Sequence, residues 1–143
     1  MIEIRNIVKQ FGERVILNDV SAIMEPGKCN LIIGTSGSGK TVLTKCMVGL
    51  FKPDKGQILY NGDDMFAMDN DTRKQLRQQI GMLFQGTALF DSMTVEQNVL
   101  FPLDMFTRWT VAEKRKRVNE VLDRVNLKDA HKRYPSEISG GMK

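Results

Sequence analysis

Eight consecutive residues, Gly34-Thr35-Ser36-Gly37-Ser38-Gly39-Lys40-Thr41, carry the most specific chemistry in the chain. Three glycines let a backbone curl until several N–H groups converge on one anionic oxygen cluster. A helix beginning at the end of such a loop aims its positive N-terminal end at the same anion. Lys40 then adds a compact ammonium charge, suited to the β- and γ-phosphates of a nucleotide. Thr41 supplies a hydroxyl of the kind that reaches a phosphate-bound magnesium ion. The spacing G-x-x-x-x-G-K-[ST] is matched in full, and glycines at these offsets are poor choices for a purely structural turn.

A second group stands near the C-terminal end. Tyr134-Pro135-Ser136-Glu137 leads into Ile138-Ser139-Gly140-Gly141-Met142. Ser139 is a natural N-cap, and two glycines allow close backbone approach to a ligand. A helix opening here would offer free N–H groups and a positive end, making a second anion site. A lone Ser-Gly-Gly fits a plain turn equally well.

These groups need elements to hold them. Residues 29–33 (CNLII) are nearly all apolar and end in glycine, as a strand buried on both faces of a parallel sheet would read. Residues 40–48 have apolar positions at helical spacing, with Gly49 as the stop. Residues 2–8 and 15–24 read as strands joined by a turn at Phe11-Gly12, and Pro53-Asp54-Lys55-Gly56 is a turn. Residues 57–60 read as a strand before an Asn61-Gly62 hairpin signal. A polar helix is expected over 72–79 and a short apolar strand over 80–84. Thr94-Val95-Glu96-Gln97 and Thr110-Val111-Ala112-Glu113 both have capping-box form. The second opens a helix with Val111, Val118, Val121, Leu122 and Val125 on one face. The chain thus turns from mixed α/β to helical after about Gln85, with no flexible linker between the parts. The expected division is 1–85 and 86–143.

The 143 residues amount to about one domain. Hydrophobic residues at 41% and charged residues at 27% are globular values that exclude a disordered or fibrous chain. Glu3, Arg5 and Lys9 interrupt the N-terminal segment, so it does not read as a signal peptide. No apolar run approaches the ~18 residues needed to span a bilayer. Cys29 and Cys46 have no metal or redox spacing and read as small buried thiols in a reducing compartment. A net charge of +4 suits a nucleotide, anionic lipid or nucleic acid and decides nothing alone.

Phosphate loops occur in kinases, GTPases, helicases and transporters, so the loop does not name a function. The remaining motifs narrow the choice. Ser139-Gly140-Gly141-Met142, about a hundred residues after the loop, resembles the signature motif of ABC ATPases, with Ile138 in place of the usual leucine. Leu83-Phe84-Gln85 resembles that family's Q-loop. Phe11 resembles its adenine-stacking aromatic, and Pro53-Asp54-Lys55-Gly56 with Asn61-Gly62 resembles its usual hairpin. More narrowly, Gly81-Met82-Leu83-Phe84-Gln85-Gly86-Thr87-Ala88-Leu89-Phe90-Asp91-Ser92-Met93-Thr94-Val95, then Asn98-Val99 and Phe101-Pro102-Leu103, is similar to the ATPases of Mla phospholipid transport systems.

The resemblance implies an α/β fold of the P-loop NTPase class. Its parts would be a RecA-like ABC ATPase core, an antiparallel β subdomain and a helical subdomain, with the C-terminal half of the core missing. It implies ATP and Mg²⁺ as ligands. Phe11 would meet adenine, and Gly34, Ser36, Gly37, Ser38, Gly39, Lys40 and Thr41 would hold the phosphates. Thr41 and Gln85 would serve the metal, with Lys40 and Gln85 serving the reaction. Ser139, Gly140 and Gly141 would touch the nucleotide of a second ATP-binding subunit in a head-to-tail dimer. Residues 86–99 would receive a polytopic membrane permease, with Leu89, Phe90, Met93 and Val95 either lining that socket or filling the subdomain core. The implied location is peripheral, on the cytoplasmic side of the bacterial inner membrane, with no nucleic-acid partner. The family's Walker B carboxylates, D-loop and switch histidine, which follow the signature, are absent from these 143 residues, as expected of either a truncated product or a fragment of a longer subunit. The 143 residues alone are therefore expected to bind nucleotide weakly and to lack turnover.

Alternatives are the ATPase of another importer or exporter, such as one for amino acids, a soluble ABC protein acting on DNA or ribosomes, and an inactive remnant. His131 reads as a surface residue and Lys114-Arg115-Lys116-Arg117 as a solvated helix face. Trp109 and Phe106 read as packing residues. Asp63-Asp64 with Asp69, Asn70 and Asp71 reads as a turn and helix start, with no metal loop.

Overall fold

Alternating apolar residues at the start of the chain fold into a β-hairpin of β1 (Ile2–Phe11) and β2 (Arg14–Met24). β3 (Lys55–Tyr60) pairs with the other edge of β1, and the two-residue β4 (Asp63–Asp64) follows the Asn61-Gly62 turn. The resulting sheet has the order β2-β1-β3-β4, and every pairing is antiparallel. The computed structural model describes residues 1–84, 86 and 88–143. They form two units, Met1–Met82 and Leu83–Lys143.

In the first unit, α1 (Lys40–Met47) lays Leu43 and Cys46 against Ile4, Ile7, Leu17 and Ile58 of the sheet. Carbonyls at and just beyond its C-terminal end accept side-chain hydrogen bonds. Tyr60 donates its hydroxyl to Met47 O at 2.6 Å, and Arg77 donates to Gly49 O at 2.7 Å. Arg77 lies on α2 (Asn70–Gln78), a helix capped by Asp69 and with no buried residue. β1 shifts register between Ile4 and Ile7, where Asn6 takes a φ of 50°. Gly56 fits opposite this irregularity. A Cβ there would lie 2.3 Å from Arg5 O and 2.4 Å from Asn6 O, so no side chain is accommodated.

The second unit is built on α3 (Val95–Phe106) and α4 (Val111–Arg124). Both helices begin with complete capping boxes, Thr94 with Gln97 and Thr110 with Glu113. Val95, Val118, Leu122, Ala130 and Ile138 form its core.

Several expectations are corrected. Residues 29–33 have no ladder partner among the described residues, and Leu31 and Ile33 are each 81% exposed. A parallel strand draws its hydrogen bonds from neighbours on both sides, which an apolar sequence cannot supply by itself. Cys29 is consequently exposed, whereas Cys46 is buried as expected. Residues 80–84 likewise form no strand, and Leu83 is 94% exposed. On α4, Val118 and Leu122 are buried, but Val111 and Val125 at its two ends are exposed. His131 is half-buried, with Nε2 2.9 Å from Asn119 Oδ1.

Candidate nucleotide-binding site

The phosphate-type loop sits on the end of α1 and is seated by β2. Gly39 is the N-cap, with φ 94° and ψ 1°, and no side chain caps the helix. The first-turn N–H groups of α1 therefore have neither an intrahelical nor a side-chain acceptor. A Cβ on Gly39 would lie 2.9 Å from Leu17 Cδ2 and 3.1 Å from Ile16 O. The loop thus approaches the β2 backbone as closely as a bare glycine permits.

Lys40 curls back over this loop. Its Nζ donates to Gly34 O and Thr35 O, each at 2.8 Å. Ser38 N donates to Thr35 O at 3.3 Å, which tightens the turn beneath the ammonium. Ser36, Gly37, Ser38 and Thr41 are exposed, and Thr41 stands at the second position of α1. An uncapped helix end, a curled loop and one cation converge, which fits an anionic phosphate chain. Thr41 presents the hard oxygen donor that a magnesium ion on those phosphates prefers. Among the described residues no cluster of three or more His, Cys, Asp or Glu side chains could hold a metal without such phosphates.

Phe11 closes β1 in the same unit and remains 46% exposed. Its ring meets Phe51 edge to face, with centroids 5.4 Å apart and an interplanar angle of 71°. Lys9 Nζ lies 5.3 Å from the Phe11 ring centroid and is paired with Asp54 at 2.9 Å. Asp54 also accepts the Gln10 N–H at 2.7 Å, while its own N–H donates to Val8 O at 2.8 Å. The Gln10 hydrogen bond, followed by that from Lys9, holds the Asp54 carboxyl below the usual carboxylate range.

In the second unit, Ile138 enters the helical core while Ser139, Gly140 and Gly141 remain exposed just beyond it. The expected helix start is a short 3-10 turn, Gly140–Met142, with Ser139 at its N-cap position. Ser139 makes no side-chain cap bond, so its hydroxyl is not committed to the helix end. Of the socket residues, Val95 is 6% exposed and belongs to the core. Phe90 is exposed and packs edge to face on Phe101 at 4.9 Å. Gln85 and Thr87 lie outside the described residues.

The family model described as "ABC transporter" matches residues 17–143. The chain belongs to the ABC transporter family. Its ABC ATPase cassette fold is also seen in a dimeric, post-hydrolysis structure of the ATP-binding cassette MJ0796 bound to ADP and Pi. That likeness has a TM-score of 0.86 at 29% identity and covers 99% of this chain and 65% of that one. The methionine import ATP-binding protein MetN of Brucella abortus is 38% identical over 143 residues, all of this chain and 38% of that protein. The spermidine/putrescine import ATP-binding protein PotA of Chromobacterium violaceum is 40% identical over the same length, again 38% of that protein. The chain therefore spans well under half the length of these two curated relatives.

The sequence singled out Phe11 and the loop but not the side chains that brace Phe11. Asp54 and Phe51 lie in or beside residues 53–56, which read as a turn and as part of a family hairpin, with no task for either side chain. A carboxylate after Pro53, in a turn before a strand, was the available signal.

Proposed function

We propose that this chain binds ATP·Mg²⁺ as the nucleotide-binding part of the subunit that powers an ABC transporter. The observation that carries this reading is the Lys40 ammonium, bonded across Gly34 and Thr35 above an uncapped helix end. Loop and first-turn amides would hold the β- and γ-phosphates, with Lys40 exchanging its carbonyl partners for phosphate oxygens. Magnesium would neutralise phosphate charge, and Thr41 would be its protein ligand within the described residues. Phe11 would stack on the adenine. Ser139, Gly140 and Gly141 would meet the nucleotide of a second subunit, a reading supported by the family signature and by their exposure. The permease would be met through residues 86–99 on the cytoplasmic side of the membrane. Among the described residues no helix is long and apolar enough to cross it.

Two cargo readings stand side by side. The likeness of residues 81–103 to Mla ATPases supports phospholipid. The printed names of the MetN and PotA relatives support methionine or a polyamine instead. Stimulation of ATP hydrolysis in the assembled transporter by lipid, methionine or spermidine separates them.

The nucleotide reading is tested by Lys40→Ala in the complete protein. A tenfold or greater loss of ATP affinity is expected, since a charge-assisted contact is worth about 1.5–3 kcal/mol. Unchanged affinity would overturn it.

A further inference from the structure

The brace beneath Phe11 is built more firmly than a hairpin tip requires. Phe51 leaves α1 through a tight stop, in which the N–H groups of Leu50 and Phe51 both donate to Lys45 O, at 2.8 and 3.1 Å. Lys45 Nζ lies 5.3 Å from the Phe51 ring centroid, just as Lys9 Nζ lies 5.3 Å from that of Phe11. Two edge-to-face rings, each attended by an ammonium group, therefore run from the hairpin to the last turn of α1. Three residues further on, Asp54 fastens the hairpin through Lys9 and Gln10. Pro53, between them, is buried and fixes the turn. The first turn of α1 carries Lys40 and Thr41, and its last turn carries Lys45. One helix thus connects the phosphate end of the site to the ring that props up Phe11.

We infer that Phe51 is a positioning residue of the base-binding subsite, fixing the orientation and height of Phe11 relative to the phosphate loop. This inference rests on the nucleotide reading above and deepens it. Phe11 lies at the end of a hairpin whose turn, residues 12–13, has no buried residue. Without the Phe51 ring, Phe11 would sample other rotamers, and a purine stacking on it would have to reorder it on binding. That penalty falls on ligands that carry a base and spares those that carry only phosphates.

The test compares ATP with magnesium tripolyphosphate, a ligand without a base, by calorimetric titration of the complete protein. Phe51→Leu keeps an apolar side chain of similar bulk and removes the ring, and Phe51→Tyr keeps the ring. Phe51→Leu is expected to weaken ATP binding by about threefold to tenfold, the range of one aromatic pair, and to leave tripolyphosphate binding unchanged. Phe51→Tyr should restore the ATP-to-tripolyphosphate ratio. Equal weakening of both ligands would show a general effect on the fold and overturn the inference, as would no change in either. Loss of tripolyphosphate binding in Lys40→Ala supports the phosphate reading, whatever Phe51 does. The two claims therefore fail separately.

Discussion

Asp54 Oδ2 accepts the backbone N–H of Gln10 at 2.7 Å, which joins the turn after α1 to the end of β1. Because that bond and the Lys9 ammonium lower the Asp54 pKa, the folded state binds the proton less readily than the unfolded chain. The stabilisation is therefore fully present above the ordinary carboxylate range and is lost as pH falls through the lowered value. Asp54→Asn should have a shallower acid limb than wild type in thermal unfolding followed from neutral to strongly acidic pH. Identical acid limbs would show that this carboxylate contributes nothing to the hairpin.

Gly39→Ala should damage the loop and the fold together. The φ of 94° disfavours any side chain, and the new Cβ would press on the β2 backbone at Ile16 O, which cannot swing away. A strained residue of this kind costs about 1–3 kcal/mol. Chemical denaturation should show a loss in that range, and nucleotide titration should show weaker binding. A variant as stable as wild type, with full affinity, would contradict the close approach of the loop to β2.

How far the sequence revealed this molecule depends on whether a feature is local. The capping boxes at Thr94 and Thr110 were legible because the bonds they make close within four residues. The loop at residues 34–41 stood out because its glycines and lysine are contiguous in the chain, and Lys40 closes its bonds to Gly34 and Thr35 within six residues. The state of residues 29–33 was not, because a buried parallel strand needs partners that its own sequence does not specify. Helical periodicity placed Val111 and Val125 on the same face as Val118 and Leu122. It could not show that burial stops at Leu122 and leaves Val111 and Val125 in solvent. Asp54 was missed for a related reason. Its acceptors and donors come from β1, some 44 residues away in the chain.

Asn98 has a structural task at the entry to α3. Its Oδ1 accepts Phe90 N at 2.8 Å, and its Nδ2 lies 3.1, 3.1 and 3.0 Å from Phe90 O, Met93 O and Thr94 O. One amide thus ties the segment preceding α3 to the helix. Asn98→Ala should destabilise the second unit by about 1–3 kcal/mol, the usual consequence of stranding several backbone groups. Asn98→Asp should do no better, because the carboxylate keeps an acceptor but loses both donors and faces three carbonyl oxygens. Amide exchange at residues 88–94 reports the effect directly. If exchange there is unchanged in Asn98→Ala, the segment is held by other contacts.

Ile138 is 8% exposed and packs with Val95, Val118, Leu122 and Ala130, while the next three residues are exposed. Tyr134 N donates to Glu137 Oε2 at 2.7 Å and Met142 N to Ser139 O at 3.0 Å, so the local bonds close short turns on either side of Ile138. Ile138 is therefore the apolar anchor that sets where Ser139 begins. Truncation to alanine should cost about 2–4 kcal/mol through lost burial and the cavity left behind. It should also speed amide exchange over residues 138–142. Ile138→Leu conserves volume and should cost less than about 1.5 kcal/mol, with exchange near wild type. If Ile138→Ala leaves exchange at Gly140 and Gly141 unaltered, those glycines are positioned independently of the core beneath them.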